Sequence, residues 1–176
     1  MRNRRIIACL ATGSLLGLAF AVNWRMMKSP ARPVIKHSVR NVDPRTSCGP
    51  VSLAVVSEYL GKSVPIADFH EETGAGDLGF CSMADLVRAL KKHGFAARAV
   101  RFDTQPPPFH NLPMVLFVDG DHFLAAIASN PREVVVIDPP KKPQTMPWDE
   151  LKPRWQGEAV VVGRSENDVR EALNLP

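Results

Sequence analysis

The apolar residues of this chain change their repeat once, at Gly94, and the change limits the folds open to it. Before Gly94 they fall at helical spacing; after it they fall in short alternating or β-branched runs. "GPVSLAVVSEYL" has apolar side chains at 51, 53, 54, 55, 56, 59 and 60, too wide a stripe for a surface helix, and Gly61 ends it. The pattern predicts a central, nearly buried helix with Cys48 just before it and Pro50 in its first turn. Pro65 suits the start and Gly74 the stop of a second helix. In "CSMADLVRALKKHG", Ser82 as N-cap with Asp85 three residues on, then Leu86, Leu90 and Gly94, spells a third.

Beyond Gly94, "FAARAVRF" alternates from Phe95 to Phe102, and "QPPPFHNLP" is a proline-rich loop unfit for a central strand. "MVLFV" (114–118), "HFLAAIA" (122–128) and "EVVVID" (133–138) are strand-like runs parted by the turn sequences "DGD" and "SNPR". A short helical piece at 148–151 and a strand "EAVVV" at 158–162 follow, and the tail "SENDVREALNLP" reads as a polar helix adding little to the core. Helices first and antiparallel strands afterwards predict an α+β domain with its N-terminal helices packed on the sheet.

The net charge of +4 is unevenly placed. Residues 1–40 hold eight Lys or Arg and no acid, which leaves 14 basic against 18 acidic residues from Asn41 onward. The folded part is therefore mildly acidic and offers no basic stripe for nucleic acid. "MRNRR" followed by the apolar run Ile6–Val22, with Ala19-Phe20-Ala21 as a small-x-small site, reads as a signal peptide, or with Trp24, Arg25 and Lys28 as a membrane anchor. Both readings stay open, and both place the domain outside the cytoplasm. The expected organisation is signal or anchor over 1–24, a basic proline-containing linker over 25–40, the domain over 41–163 and the polar tail over 164–176.

A cysteine at the root of a helix invites nucleophilic chemistry, because a helix N-terminus favours the thiolate. Such a cysteine needs an imidazole, and the imidazole an acceptor to orient it. His37 lies in the linker, His70 and His93 toward helix ends as surface residues, and His110 in the proline loop. Only His122 opens a strand beside a turn. In a hairpin turning near Asn130 and Pro131, opposed residue numbers add to about 261, which brings Asp138 next to His122. Cys48, His122 and Asp138 form a coherent triad. The alternatives are a Cys48–Cys81 disulfide, a structural His122, Asp138 as a turn former before Pro139-Pro140, and a metal site of Cys48, Cys81 and His122, whose spacing matches no common motif. Trp148 and Trp155 read as packing, Lys91-Lys92 and Lys141-Lys142 as solvated faces, and Asp119 and Asp121 as shaping a tight turn.

Cys-Gly-Pro at 48–50, "GFCSMADLVRALKKHGFAARAVRFD", "LPMVLFVDGDHFLAAI", "VVVIDPP" and the closing tryptophans with "GEAVVV" occur in an order that resembles the double-glycine leader peptidases, bacteriocin-processing cysteine peptidases of papain-like fold. The resemblance runs from about Asn41 to Val162. It implies a cysteine peptidase with Cys48 as nucleophile, His122 as general base and then acid, and Asp138 as orienting acceptor. It also implies a peptide substrate, typically cut after a Gly-Gly pair, and no cofactor. The family usually carries an oxyanion glutamine six residues before the cysteine, where this chain has Val42; Asn41, one residue off, is the candidate substitute beside the Cys48 backbone N–H. A peptide-binding relative of low activity is the alternative. Many members are fused to membrane spans and an ATPase. "GKS" at 61–63 lacks the first glycine of a phosphate loop, since that position is Val56, so no ATP site is expected here.

Overall fold

The computed structural model describes residues 44–75, 80–103, 107 and 112–175, all within the unit Ile35–Pro176. The signal or anchor segment, the linker, Asn41 and His110 lie outside the described residues.

Among the described residues three helices come first: α1 (Pro44–Tyr59), α2 (Ile66–Thr73) and α3 (Met83–Lys92). The stop of α1 is a left-handed Gly61 (φ +89°), with the Lys62 N–H returning to the Ser57 carbonyl and the Gly61 N–H to that of Glu58. Gly94 closes α3 in the same way, and Ser82 and Asp85 form a reciprocal capping box at its start. The N-terminus of α1 differs from expectation. The helix begins at Pro44, so Cys48 lies one turn inside it and Pro50 interrupts its hydrogen-bond ladder.

Six strands follow: β1 (Ala96–Arg101), β2 (Met114–Val118), β3 (His122–Ser129), β4 (Glu133–Ile137), β5 (Gln144–Pro147) and β6 (Trp155–Gly163). A short helix α4 (Trp148–Leu151) precedes β6, and α5 (Glu166–Ala172) follows it. The sheet runs in the order β1-β6-β2-β3-β4-β5, with every described pairing antiparallel. The last long strand thus lies between β1 and β2. The α+β architecture, helices on an antiparallel sheet, is as expected.

The period of two sorts the sheet's side chains into two cores. On one face Val115, Phe123, Ala125, Ile127, Val160 and Val162 meet Leu53, Val56, Phe69, Leu86 and Leu90 from the three helices. On the other, Met114, Leu116, Leu124, Val136 and Val161 pack with Trp148, Leu151 and Trp155. The two indoles lie 5.7 Å apart, each donating to a backbone carbonyl, that of Asn130 for Trp148 and that of Glu158 for Trp155. Both tryptophans are core residues, as their sequence context suggested.

Candidate active site

Two N-terminal elements converge closely on Gly49. A β-carbon there would stand 2.5 Å from Cys81 Sγ and 3.1 Å from Leu86 Cδ2, so glycine is what lets α1 lie against the segment entering α3. The residue beside it, Cys48, is half-buried and a free thiol, as is Cys81. Cys48 packs at the margin of the helix-side core, against which β3 also lies.

His122 opens β3 straight after the Asp119-Gly120-Asp121 turn. At the near end of the hairpin, Ala125 pairs with Ile137 and Ala126 with Val136, numbers adding to 262. A register shift between Ala126 and Ala128 makes the sum 263 nearer the turn. Continued to the strand ends, this register sets residue 140 opposite His122 and makes Asp138 its diagonal neighbour on the same face. The side chains meet: His122 Nε2 is 2.8 Å from Asp138 Oδ1. With Nε2 engaged by the carboxylate, Nδ1 is left for the sulfur.

His122 also bears on the ionisation of Cys48, through hydrogen bonding and charge. Burial pushes the thiol toward its neutral form. The bond from His122, the backbone N–H groups of Phe123 and Gly49 and the charge of the imidazolium outweigh that, and the Cys48 pKa falls below the usual thiol value. These contacts, rather than the helix N-terminus one turn upstream, stabilise the thiolate, since the macrodipole acts mainly within the first turn. His122 is pushed up to about 9, first by its bond to Cys48 and then, against the cost of burial, by its bond to Asp138 and the charges of both. Asp138 is held below the usual carboxylate range: burial opposes this, and the hydrogen bonds from Lys141 and His122 prevail. Cys81 is the contrast. Burial, with the charges of Cys48 and Asp85, pushes it up to about 12 and keeps it a thiol. One neighbouring sulfur is thus set up to ionise and the other to stay protonated.

Several polar residues are more engaged than the sequence suggested. Lys141, expected on a solvated face, donates from Nζ to Asp138 Oδ2 at 2.8 Å. Arg154, singled out by no motif, grips Asp119 through Nε and a terminal nitrogen at 3.0 and 2.5 Å, fixing the turn that leads into His122. His93, expected at the surface, is largely buried, 2.8 Å from Glu72 and edge-on to Phe69. An acid three residues before a base would have flagged Lys141; Arg154 and Asp119 are 35 residues apart, a pairing that only the fold reveals. Among the described residues no cluster of three or more His, Cys, Asp or Glu side chains is arranged to hold a metal ion, and the Cys48, Cys81 and His122 alternative does not form one. Nor is any helix among the described residues long and apolar enough to cross a membrane.

Solved structures share this fold. The peptidase domain of Streptococcus ComA, a bifunctional ABC transporter involved in a quorum-sensing pathway, superimposes with a TM-score of 0.59 at 24% identity, over 70% of this chain and 95% of that one. A double glycine motif protease from an AMS/PCAT transporter, solved with its leader peptide, gives 0.59 at 21%, over 66% and 84%. The N-terminal peptidase C39 like domain of a toxin secretion ATP-binding protein from Vibrio parahaemolyticus gives 0.55 at 21%, over 68% and 98%. No curated protein matches the chain. A single family model spans residues 36–167, from before α1 into α5 and across the whole sheet, and by that match the chain belongs to the Peptidase C39 family.

Proposed function

We propose that this protein is a cysteine peptidase that cleaves peptides through Cys48, His122 and Asp138. The observation that carries the reading is the 2.8 Å contact of His122 Nε2 with Asp138 Oδ1, on a ring whose hydrogen bonding and charge lower the Cys48 pKa. The Cys48 sulfur attacks the scissile carbonyl carbon, and the imidazolium of His122 gives its proton to the departing amine. A thioester remains. His122, now neutral, takes a proton from water, whose oxygen displaces the sulfur and releases the acid. Asn41 is the proposed oxyanion donor; the Cys48 backbone N–H, expected beside it, lies one turn inside α1, where the helix ladder uses it. A Gly-Gly-containing leader-type peptide is the proposed substrate, as the neighbour solved with its leader peptide suggests for its own kind. The N-terminal pattern supports an extracytoplasmic site of action, on a membrane or released from one.

Peptides carrying a Gly-Gly pair are expected to be cut by the wild-type chain and left intact by Cys48→Ala, with the products read by mass spectrometry. Iodoacetamide at neutral pH is expected to label Cys48 well before Cys81, whose thiol is pushed up to about 12. Activity should fall as pH rises through about 9, where His122 loses the proton it must donate. Equal, slow labelling of both thiols would reject the reading. Val42 in place of the usual glutamine favours a second one, a peptide-binding relative of low turnover. Fast labelling of Cys48 and tight peptide binding without hydrolysis would select it.

A further inference from the structure

Asp138 divides its two oxygens. Oδ1 faces His122 Nε2 at 2.8 Å, while Oδ2 accepts from Lys141 Nζ at the same distance. The lysine is brought there by the backbone, because the Lys141 N–H closes a turn onto the Asp138 carbonyl at 2.9 Å. The carboxylate is mostly buried, whereas the lysine stem is exposed. The turn therefore lays a cationic arm over the outer side of the carboxylate that bonds the imidazole.

We infer that Lys141 is a positioning residue of this site, holding the outer oxygen of Asp138 so that the inner one faces His122 and damping the carboxylate's charge as the imidazole feels it. Two consequences follow from elementary electrostatics. A carboxylate bonded at one oxygen only can rotate about its last torsion or exchange oxygens; bonded at both, it presents one fixed lone pair to the ring. A cation behind the carboxylate also offsets part of its pull on the imidazolium, which keeps His122 from holding its proton too tightly to release it to a leaving amine. The other charges facing the ring are Cys48 from α1 and Asp119 from the β2–β3 turn, while Arg154, in the turn just before β6, bears on Asp138. All three are unchanged when Lys141 is replaced and so cancel in a comparison. This role rests on the ion-pair reading of the site given above.

The test is an NMR pH titration of the His122 ring in the full chain at low salt, without substrate, for wild type, Lys141→Met, Lys141→Arg and Lys142→Met. Lys141→Met is expected to raise the midpoint by about half a pH unit, from one unit charge at a partly solvated separation. Lys141→Arg should restore the wild-type value, and Lys142→Met should leave it in place. In ~1 M salt, where the Debye length is about 3 Å, the difference should close. The alkaline limb of kcat/KM should move by the same interval, while the melting temperature stays put, because an exposed ion pair adds little stability. A residue that merely braced the turn would shift melting and leave the midpoint alone. A midpoint unmoved or lowered in Lys141→Met, with the wild-type midpoint elevated, overturns the role of Lys141 and spares the triad. An ordinary wild-type midpoint overturns both.

Discussion

Gly49 is where residue-scale packing and chemistry meet. Its neighbour carries the sulfur proposed as nucleophile, and the space a side chain would need is filled by Cys81 Sγ and Leu86. Gly49→Ala gains helix propensity of about 1 kcal/mol, yet forces a methyl into contacts at 2.5 and 3.1 Å, an overpacking that typically costs about 1–3 kcal/mol. The expected net result is destabilisation together with slower labelling of Cys48. Cys81→Ala removes the nearer obstacle, so the double variant should be more stable than the two single effects predict when added. Denaturant unfolding of the four proteins measures this coupling; strict additivity would mean that the sulfur gives way freely. The contact of His122 with Asp138 was readable from residue types: a histidine opening a strand, an aspartate one hairpin away. The placement of Cys48 one helical turn in was not, because Pro50 marks a helix start equally well at several nearby positions.

At the scale of elements, the two strands that differ from expectation do so for identifiable reasons. "QTMP" holds a proline and no β-branched run, yet β5 forms because it is an edge strand, pairing only with β4, where a missing N–H is tolerated. β6 starts at Trp155, earlier than its apolar run, because Gly157 at φ +100° bends the strand against the Phe102 carbonyl, where any β-carbon would clash. Both depend on a partner strand that local sequence does not name. The β2–β3 turn makes a testable case. Asp119 holds a left-handed conformation (φ +57°), its N–H bonds the Arg154 carbonyl at 2.7 Å and its carboxylate takes the Arg154 fork, three residues before His122. The exposed pair contributes no more than about 1 kcal/mol. Arg154→Ala should therefore barely change melting but lower kcat by about tenfold at unchanged KM, through misplacement of the imidazole. Arg154→Lys, unable to fork, should restore only part. Full activity in Arg154→Ala would show that β3 alone fixes His122.

At the scale of the described domain, the sheet is covered unequally: α1, α2 and α3 on one face, and α4 with Trp148, beside Trp155 of β6, on the other. The tail seemed from its composition to lie outside both cores. Its charged residues hide two apolar anchors, Val169 and the partly buried Leu173, which packs against the second core. Val169 is fully buried, α5 packs on β1 and β6, and the side chains of Asp168 and Val169 come so close to Gly163 that a β-carbon there would sit 3.0 Å from each. Arg164 Nε also donates to the Leu60 carbonyl at 2.8 Å, joining the tail to the end of α1 remote from Cys48. Burying a valine contributes about 1.5–3 kcal/mol. Deleting residues 164–176 is therefore expected to lower the melting temperature by about 3–12 °C, at about 2–4 °C per kcal/mol for a chain of this size. Cys48 labelling at a temperature where both forms remain folded should be unchanged, because the tail holds the far end of the helix and leaves His122 and Asp138 untouched. Thermal unfolding followed by circular dichroism, with labelling rates at a lower temperature, separates the two effects. An unchanged melting temperature would make the tail the surface addition that its composition suggests, and slowed labelling would mean that the position of α1 along its own axis is transmitted from Leu60 to the sulfur.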